Sequence, residues 1–409
     1  MFGFIELFSV KKLTFIQIIL FFLVLVSGVI HIYFFNSEFN VYFFEFLRPT
    51  VFSDFQSVLA YSGLENPYNK ESHLAPANYP PFAYLILRPL SNLNFMFAYC
   101  VYLSIVFSLL FLTFYKLKKT FNIDKSKAIA LLFFIIFSHP FLFALFRGNL
   151  DLLVGVLLIN ILNFDTRTSI LPGILVGIAG AIKIVPLAFC ILFLALKNYK
   201  SLFICILTFT LLSFFSLYCY GLSLPAFYNY FSHEYALYKD LYVIGNMATN
   251  FFSDPWLIIS GFFKLLDHSN LLVQEYYEIY NFAQIFLMCF LTYFVIKNRD
   301  NISEIFIILL IGMMMIGFPA PSNDYKILYM LPGVLYYLVY LDEKRYTHFS
   351  VKILGTFTVL MFIHFSFFYL LDYISVSSFI RPIFYIISIS CIAYLFCRIS
   401  LKKDRLIID

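Results

Sequence analysis

About twelve apolar runs recur along the chain, at approximately 13–35, 94–115, 128–146, 149–163, 170–182, 184–196, 201–220, 281–297, 303–318, 327–341, 350–371 and 382–400. So many near-uncharged runs cannot share one core in water, so lipid must be the solvent for most of their surface. Composition agrees: 62% of the 409 residues are hydrophobic and 12% charged, against about a quarter charged in ordinary soluble domains. The expected fold class is an all-α, polytopic integral membrane protein. It forms a single domain over 1–409, with two large outer segments at approximately 36–93 and 221–280.

The placement of charge decides orientation and excludes another class of partner. A net charge of +5 is compatible with an acidic partner such as nucleic acid. The basic residues, however, sit in short loops between apolar runs, the pattern of cytoplasmic loops. No nucleic-acid binding is expected. The first run, Leu13 to Phe35, follows Lys11-Lys12, exceeds a signal h-region and has no small-x-small cleavage site after it, so it reads as a retained helix. Both termini are then cytoplasmic.

One stretch needs a break for this topology to hold. Ile170 to Leu196 has polar flanks on both sides and is interrupted by Lys183-Ile184-Val185-Pro186. A single helix kinked at Pro186 would put half of the basic loops on the wrong face. Two short helices meeting near Lys183 at the outer side satisfy all of them. Neither is long enough to cross about 30 Å of hydrocarbon at about 1.5 Å per residue. Such helices survive only where protein or a cavity surrounds their ends. Apolar stretches within the outer segments, such as Phe82 to Leu87 and Trp256 to Leu266, suit helices lying along the interface.

The seven cysteines lie in or beside apolar runs with no Cys-x-x-Cys pair and no histidine cluster, which favours buried small side chains over metal ligands. His31, His139 and His364 are isolated. The spans hold no series of carboxylates suited to proton relay. Charge gathers instead at outer helix ends: Asp54, Arg147, Asp151, Lys183, Asp324 and Lys326. Outer-end charges are ordinary interface anchors, yet cations and a carboxylate at headgroup level also suit chemistry on a lipid-linked phosphate. The cations stabilise charge growing on the departing phosphate, and the carboxylate takes the proton of an incoming hydroxyl.

Three ordered motifs sharpen that reading. They are Ser53-Asp54-Phe55 with Asn66-Pro67-Tyr68, Tyr79-Pro80-Pro81-Phe82 and Arg88-Pro89-Leu90; Gly173-x-x-x-Gly177 leading to Lys183 and Pro186; and Pro321-Ser322-Asn323-Asp324-Tyr325-Lys326. Over approximately residues 50–335 the chain resembles glycosyltransferase family 87. Its Gly-Gln-x-Asn turn stands here as Gly148-Asn149-Leu150-Asp151. The resemblance implies a GT-C fold and transfer of a hexose, typically mannose, from a polyprenyl-phosphate donor to a glycan or glycolipid acceptor. It implies Asp54 as general base, although Asp54 also suits a helix N-cap.

Lys183, Arg147 and Lys326 are the expected donor-phosphate ligands, and snorkelling is their ordinary alternative. Asp324, Asn149, Asp151 and Tyr79 are further substrate-binding candidates. Gly173 and Gly177 are expected to let helices approach closely. A sugar-stacking ring is sought among Tyr228, Tyr230, Tyr235 and Trp256. No cofactor or metal is expected. The expected setting is the outer face of a prokaryotic cytoplasmic membrane, among its lipids. A flippase for lipid-linked sugars and an O-antigen ligase or polymerase are the rival readings.

Overall fold

Proline, glycine and capping side chains divide the apolar runs into helices. The structure, a computed structural model, describes residues 52–68, 76–240, 270–317, 324–340, 356–362, 369–371, 374–375 and 382–390, with isolated positions 22, 24, 26 and 394. Most of the expected run 13–35, most of 350–371 and the end of 382–400 lie outside the described residues, as do Trp256 to Leu266, His31 and His364.

Helix α1 (Ser53–Ser62) is entered through Phe52, whose φ of 59° turns the chain sharply. Pro81 starts α2 (Pro81–Leu87), where its missing N–H costs nothing. The side chain of Asn94 accepts from Met96 N–H to cap α3 (Phe95–Thr120), which ends in Lys118 and Lys119. Asp124 likewise caps α4 (Lys125–Ile136). The expected run 128–146 is not one helix: Ser138-His139-Pro140 opens a new one, α5 (His139–Arg147), bent by 52° from α4. Pro140 cannot supply the backbone donor that would carry the first helix onward.

Downstream come α6 (Asp151–Asn160) and α7 (Leu171–Ile182), which stops at an extended Lys183. The break expected at Lys183 is therefore present. A 3-10 segment, Val185–Phe189, built around Pro186, leads into α8 (Cys190–Ala195). Then follow α9 (Tyr199–Cys219), α10 (Leu224–Tyr238), α11 (Asn270–Lys297) and α12 (Glu304–Gly317). A 3-10 segment, Asp324–Met330, precedes α13 (Leu331–Tyr340). Helix α11 begins well before the expected 281–297, because Gln274, Glu275 and Glu278 hide its first turns from a search for apolar runs. Apart from a two-stranded contact of Tyr369–Leu371 with Ile374–Ser375, the described regular structure is helical.

Among the described residues, three helices are long and apolar enough to cross a membrane: Phe95–Thr120, Tyr199–Cys219 and Gln274–Lys297; the bent α4–α5 pair makes a fourth if it is one span. Their outward faces carry Phe97, Phe111, Phe203, Phe214, Phe282 and Phe286, all exposed. Such faces are at home in lipid. The short helices are the reverse. Every residue of α12 from Ile305 to Gly317 is buried, so protein surrounds this helix of 14 residues. Helices α7 and α9 pack closely because a Cβ at Gly177 would fall 2.7 Å from Thr208 Cβ, and one at Gly173 would collide with the Ser201 carbonyl.

Candidate active site

Of the six charged residues expected to cluster, Asp54, Arg147, Asp151 and Lys183 gather at the turn between α5 and α6. Helix α5 ends on Gly148, whose φ of 67° only glycine adopts without strain, and a Cβ there would lie 2.5 Å from Phe55 Cβ. The absent side chain lets α1 press against this turn, and Phe52 N–H donates to Phe146 C=O at 2.8 Å. The rings of Phe52 and Phe55 pack on Tyr99. In consequence Asp54, in the first turn of α1, meets the end of α5. Arg147 Nη2 donates to its Oδ1 at 2.6 Å and Asn149 Nδ2 to its Oδ2 at 2.7 Å. Asp54 is not the cap residue of α1; Phe52 holds that position. Both ion-pair partners stay partly open, with side-chain exposures of 22% for Arg147 and 17% for Asp54.

Behind this pair lies a second one. Asp151 is fully buried, yet Lys183 Nζ reaches its Oδ2 at 2.5 Å and Tyr329 donates its hydroxyl to Oδ1. Lys183 arrives there because α7 stops one residue earlier. Burying a carboxylate is tolerated only when a cation and hydrogen bonds compensate it, and both are present. Asn149 joins the tiers. Its Oδ1 accepts from Asp151 N–H at 2.9 Å and from the Tyr79 hydroxyl at 3.3 Å, while Tyr102 donates to its backbone carbonyl at 3.1 Å. The Lys183 ammonium also lies 4.9 Å from the centre of the Tyr79 ring.

Tyr79, Lys183 and Lys326 open onto one cavity of about 840 Å³. Its remaining wall is largely apolar and aromatic, with Phe231, Tyr235 and Tyr238 from α10, Met288 and Tyr293 from α11, and Met314 from α12. Asp54, Arg147, Asn149 and Asp151 are not on that wall. They stand behind it, joined to it through Tyr79 and Lys183. Of the ring candidates, Tyr235 lines the cavity, Tyr228 and Tyr230 are exposed without lining it, and Trp256 is outside the described residues. The side chain of Asp324 is likewise outside them, although its backbone opens the 3-10 segment that carries Lys326. Tyr329 and Tyr102 are new members of the network. Their only signal in the sequence is a hydroxyl set within an apolar run, where a buried tyrosine needs a partner. Among the described residues, no three His, Cys, Asp or Glu side chains gather as a metal site would need.

The chain is thus a helical membrane protein whose apolar cavity carries two lysines beside broken helix ends. Residues 78–317 match the family model of glycosyltransferase family 87, more than half of the 409 residues. The chain therefore belongs to that family and is a membrane glycosyltransferase, which requires a sugar donor and an acceptor. The matched region contains Tyr79, Arg147, Asn149, Asp151 and Lys183; Asp54, Asp324 and Lys326 fall outside it. No curated protein matches the chain, and no solved structure does.

Proposed function

We propose that the chain transfers a hexose, mannose in the first instance, from a polyprenyl-phosphate donor to a hydroxyl of a glycan or glycolipid, with inversion. The observation that carries this reading is the cavity of about 840 Å³, apolar over most of its wall and bearing Lys183 and Lys326. An isoprenoid chain suits the apolar wall, and a single phosphate suits the two ammonium groups. The acceptor oxygen attacks the anomeric carbon as its bond to the phosphate oxygen breaks. Asp54, whose open edge lies off the cavity wall, takes the proton of an acceptor hydroxyl that approaches from its side, and the lysines stabilise the charge left on the polyprenyl phosphate. Arg147 and Asn149, bonded to Asp54, fix the direction of that base. Asp151 holds Lys183.

In this reading the fold is of GT-C type with about twelve spans, and the site works at the outer face of a prokaryotic cytoplasmic membrane. Neutralisation of the phosphate by lysines supports a reaction that needs no metal or other cofactor. The test is incubation of the purified protein with a panel of polyprenyl-phosphate sugars and acceptors, with and without EDTA, followed by product mass analysis. One hexosyl monophosphate donor is expected to yield product in both conditions. Product only from diphosphate-linked glycans would replace this reading with the ligase, and translocation without a new glycosidic bond would replace it with the flippase.

A further inference from the structure

The segment 76–80 supplies Asn78, Tyr79 and Pro80 to the cavity wall, yet it belongs to no helix or strand. A buried backbone without regular partners must find them among side chains. Three are in place. Ala77 N–H donates to Glu234 Oε2 at 3.0 Å, Tyr79 N–H to the Tyr84 hydroxyl at 3.3 Å, and the Tyr68 hydroxyl to Tyr79 C=O at 2.7 Å. Burial, with Tyr84 and Tyr220 nearby, pushes the Tyr68 phenol well above its ordinary range, so it keeps the proton it donates.

Glu234 differs from the two tyrosines in where it comes from. It sits on α10, one turn from Phe231 and Tyr238 and next to Tyr235, the residues by which that helix lines the same cavity. It is 3% exposed, although carboxylates are rarely buried without a task. Its bond to Ala77 spans 157 positions of sequence and ties two walls of the cavity together. Tyr79, two residues beyond the clamp, is the side chain that touches both Asn149 and Lys183.

Resting on the donor reading above, we infer that Glu234 is a positioning residue: its carboxylate clamps the 77–80 segment to α10 and so sets Tyr79 against Lys183 and Asn149. What this role needs is a hydrogen-bond acceptor at that point, rather than a negative charge.

The experiment uses the full chain in detergent or nanodiscs. Two readouts are taken for wild type, Glu234→Gln, Glu234→Ala and Glu234→Asp: amide hydrogen exchange across 76–81, and kcat and KM for the donor. Glu234→Gln keeps an acceptor in place and is expected to preserve both readouts. Glu234→Ala is expected to speed exchange at Ala77 roughly ten-fold or more and to lower kcat/KM by a similar factor, mainly through KM. Should the alanine variant fail to accumulate, Glu234→Asp, which withdraws the acceptor by one methylene, is expected to move both in the same direction. Wild-type exchange and kinetics in Glu234→Ala or Glu234→Asp overturn the inference, and so does a glutamine variant as impaired as the alanine one. If wild type transfers no sugar from any donor, the donor reading fails. Exchange then still decides whether the clamp exists, and unchanged exchange overturns it.

Discussion

Asp54 and Asp151 are the same residue type in one network, each paired with a cation at a helix end, but they differ in access. Asp54 and Arg147 keep part of their surface open, whereas Asp151 has none, and its two oxygens are taken by Lys183 and Tyr329. A carboxylate closed on every side can hold a neighbour but cannot meet a substrate. One with an open edge, aimed by two side chains, can accept a proton. On the proposed mechanism, burial divides two chemically identical groups into an anchor and a reagent. The cations divide in the same way: Arg147 is spent on the reagent, whereas Lys183, seated on the anchor, still reaches the cavity wall.

The comparison breaks most sharply at Asp54. Replacing it with Asn keeps the shape but removes the proton acceptor, and it leaves one acceptor oxygen where Arg147 and Asn149 both donate, so transfer should fall roughly 10²–10⁴-fold while the protein still accumulates in membranes. Retained transfer in that variant would strip Asp54 of its role. Asp151→Ala should act in the opposite manner. It strands Lys183 beside an empty, largely dry space, and stability should fall by about 3 kcal/mol, the lower end for a broken buried pair because Lys183 keeps some access to the cavity. The measurement is thermal or denaturant unfolding in detergent alongside membrane abundance. A fully stable Asp151→Ala with reduced transfer would make Asp151 a substrate ligand instead of an anchor.

These two carboxylates also mark the limit of what local sequence conveys. Asp54 and Asp151 both stand in the sequence as charges at expected outer helix ends, and the break at Lys183 is preferred to a helix kinked at Pro186 by the side on which it puts the basic loops. The tight approach of α7 and α9 followed from Gly173 and Gly177 at one-turn spacing. The difference in burial between the carboxylates was not visible, because it depends on partners far along the chain: Asp54 meets Arg147 across 93 positions, and Asp151 meets Tyr329 across 178. Tyr329 lies in a run that reads as plain membrane span. The bend at Pro140 was masked by apolar residues on both sides of it, and the first turns of α11 by polar ones. Periodicity and punctuation report helix ends. They carry no record of which end packs against which.

The smallest expected effect tests how the two tiers are joined. Gly148 stands between Arg147, which serves Asp54, and Asn149, which touches both tiers, and α1 rests directly on it. Gly148→Ala adds one methyl group in a left-handed backbone conformation, at a cost of about 1–2 kcal/mol, and the new Cβ must displace Phe55. The sum should be about 2 kcal/mol of stability. Phe55 is the residue next to Asp54, so the displacement falls on the open carboxylate and spares the closed one. Transfer should therefore drop by more than the loss of folded protein accounts for, with donor KM nearly unchanged because Lys183 and Asp151 stay in place. A rise in donor KM equal to the fall in kcat would mean that the turn moves both carboxylates together, and the division between anchor and reagent would not hold.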